Sequence, residues 1–148
     1  MDNRKTLLLV GGTSDIGRAT ALRYAEGGWR ILLTVRDTEA GRRNAEDVTA
    51  RTGAEAGVHA LDLMNTRAFP GFIDQLPVLP DTVVCVVGEL GDQPRAESDP
   101  DFAAMVMRTN FEGPALLLGL FAERFLARRS GTLIGVSSVA GDRGRASN

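Results

Sequence analysis

Short apolar runs alternate along the chain with longer segments in which apolar residues recur at helical spacing. Five runs have the length and the β-branched or apolar content of strands. They are Thr6–Val10, Ile31–Val35, Val58–Leu61, Thr82–Val87 and Thr132–Val136. Most of them are apolar at successive positions rather than at alternate ones. That pattern predicts strands buried on both faces, as in a parallel sheet.

Helical segments are predicted between these strands, and the first is capped by Ser14 or Asp15. The four segments are 14–26, Thr38–Thr52, Thr66–Gln75 and Asp101–Arg128. Alternating strands and helices imply βαβ units, and right-handed crossovers favour the strand order 3-2-1-4-5. The sequence therefore predicts an α/β fold with a Rossmann-type doubly wound parallel sheet in three layers, α/β/α. Because no repeat or linker interrupts the pattern, we expect residues 1–148 to form a single domain.

Composition limits the partners, the cellular location and the metal sites that we expect for this chain. The net charge is −2, so no basic surface predicts binding to nucleic acid. No apolar run approaches the roughly 20 residues that span a bilayer, and residues 1–5 are too short and charged for a signal peptide. With Cys85 as the only cysteine, a reducing cytoplasm is the simplest location. One histidine and one cysteine on different strands supply too few ligands for a metal site, so we expect none.

The turn between the first strand and the first helix reads Val10-Gly11-Gly12-Thr13-Ser14-Asp15-Ile16-Gly17. Glycines there permit a sharp turn and close approach of a diphosphate, while N–H groups at the helix start face the anion. We expect the dinucleotide phosphates to contact Gly11, Gly12, Thr13, Ser14, Asp15, Ile16 and Gly17. The alternative is a tight turn that binds nothing.

This segment resembles the Thr-Gly-x-x-x-Gly-x-Gly cofactor loop of short-chain dehydrogenases/reductases, with Gly11 and Gly17 as its first and last glycines. Val10 replaces the usual threonine, and Asp15 replaces the middle glycine. Because a carboxylate repels a diphosphate, we expect the Asp15 side chain to turn away, capping the helix or binding another part of the chain. The resemblance implies an oxidoreductase that transfers a hydride between a nicotinamide cofactor and a small-molecule carbonyl or alcohol.

The end of the second strand indicates which cofactor is used. A carboxylate there favours NAD, whereas a nearby arginine accommodates the 2′-phosphate of NADP. Val35-Arg36 lies at the end of the second strand. In such a fold Thr13 is close enough to help Arg36 bind this phosphate. We therefore expect NADP rather than NAD. The alternative is a solvated Arg36 that Asp37 neutralises.

The resemblance assigns three further cofactor contacts. Asp62 would meet the adenine amino group and Leu63 the ring edge, although Asp62 is equally suited to cap a helix. Gly88 matches the glycine of the family's Asn-Asn-Ala-Gly motif, where backbone approaches the cofactor ribose. The two asparagines of that motif are replaced here by Cys85 and Val86.

Two residues are candidates for the catalytic machinery. Pro114 has no N–H to donate to the carbonyl of Asn110, which is therefore left free, with a local kink expected. In the resembled family the matching asparagine holds a water of the proton relay through that carbonyl. Ser138 matches the family's catalytic serine, which donates a hydrogen bond to the substrate carbonyl. No histidine is placed to make Ser138 a nucleophile.

The family's tyrosine and lysine are not present. They form a Tyr-x-x-x-Lys motif beginning about a dozen residues after the serine, whereas the sequence given ends ten residues after Ser138. The only tyrosine and the only lysine are Tyr24 and Lys5. We expect a fragment, or the ordered part of a longer chain, that is inactive by itself and forms a homo-dimer or homo-tetramer when full length. A non-catalytic dinucleotide-binding or sensor domain and a structural remnant are the alternatives.

Overall fold

The computed structural model describes residues 4–144. Its strands are β1 (Thr6–Val10), β2 (Arg30–Val35), β3 (Ala56–Ala60), β4 (Thr82–Cys85) and β5 (Thr132–Gly135). Its helices are α1 (Asp15–Glu26), α2 (Thr38–Thr52), α3 (Phe69–Asp74), α4 (Gln93–Ser98), α5 (Pro100–Met107) and α6 (Gly113–Arg128). A π-helical turn, Arg108–Glu112, joins α5 to α6, and 3₁₀ turns cover Thr66–Ala68 and Val139–Gly141.

All four strand pairs are parallel, and the strand order is β3-β2-β1-β4-β5. The predicted Rossmann-type sheet and its order are therefore confirmed. The central strand β1 pairs with β2 from Thr6 opposite Arg30, and with β4 from Leu7 opposite Thr82. This register aligns the carboxyl ends of β1, β2 and β4 at one edge of the sheet, where ligands bind in open α/β folds.

Apolar side chains cover both faces of the sheet. Because successive strand residues point to opposite faces, Leu8 and Val10 of β1 pack in one cluster, and Leu7 and Leu9 pack in the other. The first cluster includes Phe121 of α6, and the second includes buried residues of α1 and α2. The continuous apolar run of β1 thus reflects burial on both sides, as predicted.

The connection between β4 and β5 differs from the prediction. A single helix Asp101–Arg128 is predicted, but α5 and α6 are separated by the π turn, in which the N–H of Gly113 donates to the carbonyl of Arg108. Pro114 lacks an N–H, so the regular bonding pattern cannot pass through it. Between β4 and α5, where the sequence predicts neither a helix nor a strand, the chain forms α4, because the Asp92 side chain caps its first turn.

Strand boundaries also shift by one or two residues. β3 begins at Ala56 rather than Val58, because it pairs with β2 from Ile31 opposite Ala56. β4 and β5 end at Cys85 and Gly135, before the predicted ends at Val87 and Val136. Within residues 4–144, none of the helices has both the length and the apolar character needed to cross a membrane.

Candidate functional site

The glycine turn after β1 is held by the neighbouring strand. Gly11 has φ +98°, a backbone conformation that favours glycine. The N–H groups of Gly11 and Gly12 both donate to the carbonyl of Thr34 on β2, at 3.3 and 3.1 Å. The chain therefore reverses close to β2, and the turn opens towards the carboxyl edge of the sheet.

Ser14 caps helix α1. Its Oγ accepts a hydrogen bond from the N–H of Gly17 at 3.0 Å and donates to the carbonyl of Gly11 at 3.0 Å. The expectation that Asp15 caps this helix, or binds another part of the chain, is therefore wrong. Asp15 is the first residue of α1, is exposed, and makes no hydrogen bond or ion pair within residues 4–144. A carboxylate in the first helical turn remains favourable through the helix dipole alone.

Three backbone donors of the turn face no protein acceptor. In the described part of the chain, the N–H groups of Thr13, Asp15 and Ile16 have no hydrogen-bond partner. Unpaired N–H groups at a helix start attract an anion. Gly17 brings the helix close to the turn, since a Cβ atom there would lie 2.9 Å from Ser14 Oγ. The turn thus has the donors and the close packing that a diphosphate requires.

A cavity of about 160 Å³ opens beside this turn, at the carboxyl ends of β1, β2 and β4. It brings together seven of the predicted cofactor residues: Gly11, Thr13, Ser14, Arg36, Asp62, Leu63 and Gly88. The other four predicted cofactor residues, Gly12, Asp15, Ile16 and Gly17, belong to the glycine turn without lining the cavity. Sequence reasoning missed nine lining residues: Val10, Thr34, Val35, Leu61, Met64, Val86, Val87, Glu89 and Thr109.

Arg36 lies at the end of β2 with its guanidinium uncommitted. It is exposed, lines the cavity, and forms neither a hydrogen bond nor an ion pair with any residue of the described range. Asp37 does not neutralise it by direct contact. The Asp37 carboxylate instead caps α2, accepting from the N–H groups of Glu39 and Ala40 at 2.9 and 3.1 Å.

Asp62 and Leu63 follow β3 and line the same cavity. The Asp62 carboxylate accepts a hydrogen bond from the N–H of Met64 at 2.9 Å and so closes a local turn. The residue that precedes the next helical turn is Asn65, not Asp62. The helix-cap alternative for Asp62 is therefore wrong. Leu63 is buried against Gly113, where a Cβ atom would lie 2.6 Å from the Leu63 carbonyl oxygen. This contact ties the cavity wall to the start of α6.

Asn110 lies in the π turn and holds the segment after β4. Its amide accepts from the N–H of Glu89 at 2.6 Å and donates to the carbonyl of Glu89 at 2.8 Å. Because Gly88 and Glu89 line the cavity, this two-bond contact connects the π turn to the cavity wall. The predicted irregularity at this asparagine takes the form of a π turn, a feature common at functional sites.

Ser138 follows β5 near the same edge of the sheet but does not line the cavity. β5 is placed by its pairing with β4, and the N–H of Val136 donates to the carbonyl of Cys85. Ser138 Oγ accepts from the N–H of Ala140 at 3.1 Å. This bond occupies an acceptor site of the hydroxyl and leaves its proton available to another group.

Thr109 and Met64, two of the missed lining residues, contact each other through their side chains. Thr109 Oγ1 lies 3.5 Å from Met64 Sδ and 3.7 Å from Met105 Sδ. Thioether sulfur is a weak acceptor, so the hydroxyl keeps most of its capacity to bond elsewhere. No spacing pattern in the sequence distinguishes these residues from ordinary helix and loop positions.

The potentially reactive side chains of Cys85 and His59 do not line the cavity. Burial raises the pKa of the Cys85 thiol, opposed in part by the N–H of Val87, and burial lowers the pKa of His59 on the edge strand β3. Across residues 4–144, no group of three or more His, Cys, Asp or Glu side chains is arranged to hold a metal ion.

A parallel sheet of this order, with a glycine turn between β1 and α1, defines the Rossmann class of nucleotide-binding folds. The family model described as short chain dehydrogenase matches residues 5–148. The chain belongs to the short-chain dehydrogenase family.

Known proteins agree with this placement. A relative in Streptomyces coelicolor, named as an oxidoreductase in the mprA 5′ region, is 37% identical over 147 residues, covering 95% of this chain and 57% of the relative. The chain therefore spans little more than half the length of this relative. A short chain dehydrogenase from Escherichia coli CFT073 complexed with NADPH has TM-score 0.82 and 29% identity, over 98% of this chain and 63% of that one. An NAD⁺-bound xylitol dehydrogenase has TM-score 0.86 and 26% identity, over 98% and 57%.

Proposed function

We propose that these residues form the cofactor-binding part of an NADP-dependent oxidoreductase that interconverts a small-molecule carbonyl and alcohol. The observation that carries the proposal is that the Arg36 guanidinium, which has no partner among residues 4–144, shares a cavity with the glycine turn. Thr13 and Ser14 line the same cavity. They lie at the start of α1, next to the N–H groups that have no hydrogen-bond partner among residues 4–144.

The choice of NADP over NAD depends on Arg36. A guanidinium is planar, permanently charged and suited to bind phosphate through two hydrogen bonds. Asp37, the nearest acid in the sequence, is engaged by backbone N–H groups at the start of α2. Relatives of known structure include one complexed with NADPH and one bound to NAD⁺, so the family alone does not decide between them.

The remaining assignments follow from position. Asp62 and Leu63 would receive the adenine, and the backbone at Gly88 would approach the cofactor ribose, since all three line the cavity. The bound nicotinamide supplies hydride transfer. Ser138 would donate its hydroxyl proton to the substrate carbonyl oxygen, and the Asn110 carbonyl would hold a water for proton transfer.

Location and assembly are part of the same proposal. A single buried cysteine suits a reducing cytoplasm. The whole protein would act as a homo-dimer or homo-tetramer, with a small-molecule carbonyl or alcohol as its substrate.

Calorimetric titration of the 148-residue chain with NADPH and with NADH tests the proposal. We expect NADPH to bind at least about tenfold more tightly, as one charged hydrogen bond to the 2′-phosphate would provide. Equal affinity would overturn the NADP assignment, and absence of binding by both would overturn dinucleotide binding.

The positions of Tyr24 and Lys5 favour a second function for this chain, a dinucleotide-binding domain without catalysis. Tyr24 packs edge-to-face on Trp29 with ring centroids 4.9 Å apart, and Lys5 Nζ lies 5.4 Å from the Trp29 ring. Trp29 precedes β2, at the end of the sheet opposite the cavity. Neither Tyr24 nor Lys5 is placed to serve the proposed reaction. Binding of NADPH by this chain would separate this second function from a structural remnant that binds no dinucleotide.

A further inference from the structure

Asn44 makes a contact with the glycine turn that the proposed cofactor contacts do not include. Its side chain Nδ2 donates to the carbonyl oxygen of Gly12 at 2.8 Å, across 32 residues of sequence. Asn44 is half-buried on α2 and shares the sheet-facing side of that helix with Gly41, Ala45 and Val48. A polar amide on an otherwise small and apolar face is unusual, and its donor has a specific partner.

The position of α2 makes this contact possible. A Cβ atom on Gly41 would lie 2.7 Å from Val35 Cγ2 and 2.9 Å from Val58 Cγ1, so the helix approaches β2 and β3 closely. The start of α2 is fixed next to Arg36, because Asp37 caps the helix. The same helix therefore links the Arg36 corner to the glycine turn.

The bond to Gly12 also orients the next backbone donor. In the trans peptide between Gly12 and Thr13, the carbonyl and the N–H point in opposite directions. Since Asn44 holds the Gly12 carbonyl towards α2, the N–H of Thr13 points away from α2. Within residues 4–144 this N–H has no acceptor, and Thr13 lines the cavity together with Arg36.

We propose that Asn44 is a positioning residue for the dinucleotide: it holds the Gly12–Thr13 peptide so that the Thr13 N–H and Arg36 face the same anionic group. This inference rests on the proposed dinucleotide binding. Asn44 itself does not line the cavity. It acts by keeping one peptide group in a single orientation before the ligand arrives, which lowers the cost of ordering on binding.

The test compares three variants by calorimetric titration with NADPH, with thermal unfolding measured in parallel. Asn44→Ala removes the donor, and Asn44→Asp places a carboxylate against the Gly12 carbonyl. We expect Asn44→Ala to weaken NADPH binding by about 5- to 10-fold, the value of one hydrogen bond, and Asn44→Asp to weaken it further. The control is Asp47→Asn, one turn later on α2, which removes the negative charge from the ion pair that Asp47 forms with Arg18 on α1 at 2.9 Å. The control should lower the unfolding temperature and leave NADPH affinity within about twofold, because it does not touch the turn.

A second measurement does not depend on the variants folding. In ¹⁵N-labelled wild-type chain, adding NADPH should shift the Thr13 amide resonance more than that of Gly12, whose N–H is already bonded to Thr34. If the wild-type chain binds neither NADPH nor NADH, the proposed function fails and this inference fails with it. If the wild type binds NADPH but both Asn44 variants bind equally well, or the Thr13 resonance does not move, only the role of Asn44 is overturned.

Discussion

A Cβ atom on Gly17 would lie 2.5 Å from the carbonyl oxygen of Gly11. Real Cβ atoms do not approach backbone oxygen so closely, so any side chain at residue 17 must push α1 away from the turn. The distance between these two glycines therefore sets how near the start of the helix comes to the end of β1. It also fixes where the N–H groups of Asp15 and Ile16, which have no hydrogen-bond partner among residues 4–144, lie relative to the cavity edge.

We expect Gly17→Ala to destabilise the chain by about 1–3 kcal/mol, the usual cost of overpacking a close contact. NADPH affinity should fall at least about tenfold, because the N–H groups proposed to bind the phosphates are displaced. Urea unfolding and calorimetric titration measure the two effects.

Gly119→Ala is the matched control. Gly119 is an exposed residue of α6, and a Cβ atom there would meet nothing within 4 Å. This substitution should stabilise the chain by about 0.5–1 kcal/mol, because alanine is the better helix former. Similar losses in both variants would show that the close contact at Gly17 is not responsible.

Arg36→Ala should remove the preference for NADPH. Among residues 4–144, the change deletes the one guanidinium that lines the cavity without a protein partner. We expect NADPH affinity to fall about 10- to 100-fold, the range for hydrogen bonds to charged groups, while NADH affinity changes less than about threefold. Arg43→Ala is a suitable control, since Arg43 is an exposed arginine paired with Glu39 on α2. An equal loss for NADPH and NADH would place Arg36 away from the 2′-phosphate.

The sheet and much of the cavity edge could be predicted because they follow from local signals. Continuous apolar runs indicate buried parallel strands, and the glycine spacing after β1 indicates a phosphate turn, so Gly11, Thr13 and Ser14 were found from spacing alone. The sequence alone does not decide between Ser14 and Asp15 as helix cap, because both residue types accept from backbone N–H groups. Only the geometry of the turn, with Ser14 Oγ bonded to Gly11 and Gly17, decides it.

The contacts that sequence reasoning missed are those made across long separations. Asn44 reaches Gly12, Thr109 meets Met64, and Gly113 packs on Leu63. None of these pairs has a spacing signature, because each depends on how two distant elements pack. The polar residue on the sheet-facing side of α2 was the one available signal, and it identifies Asn44 without identifying its partner.

Asn110→Ala should loosen the cavity wall after β4. The change removes both hydrogen bonds between the side chain and the backbone of Glu89. Because the site is exposed, we expect a loss of only about 1 kcal/mol in the free energy of unfolding. Amide exchange at Glu89 should accelerate markedly, since its N–H would lose its acceptor. Exchange at Leu8, whose strand is buried on both faces, serves as the internal reference and should not change. An unchanged rate at Glu89 would contradict the contact.

The ion pairs of Asp47 should make the folding stability of the chain depend on pH. Hydrogen bonds from Arg18 and then Arg51 hold the pKa of Asp47 below its ordinary value of 3.8. Because the pKa is lower in the folded chain, the stabilisation is present above the unfolded value and is lost as the pH falls through the folded one. Asp47→Asn should therefore lower the unfolding temperature at pH 7, and the difference from wild type should shrink below about pH 4. A difference that is constant between pH 7 and pH 3 would contradict the ionic contribution.

Cys85 should be protected from thiol reagents until the chain unfolds. Its side chain is 4% exposed at the end of β4, and burial raises the pKa of the thiol above 9.0. The thiolate is the reactive form, so both access and ionisation are restricted in the folded chain. We expect labelling by dithiobis(nitrobenzoate) at pH 8 to be slow and to become immediate in denaturant. Since the unfolded thiol ionises first as the pH rises, folding stability should also fall above about pH 9, less so in Cys85→Ala. Rapid labelling of the folded wild type would show that β4 opens at the cavity edge.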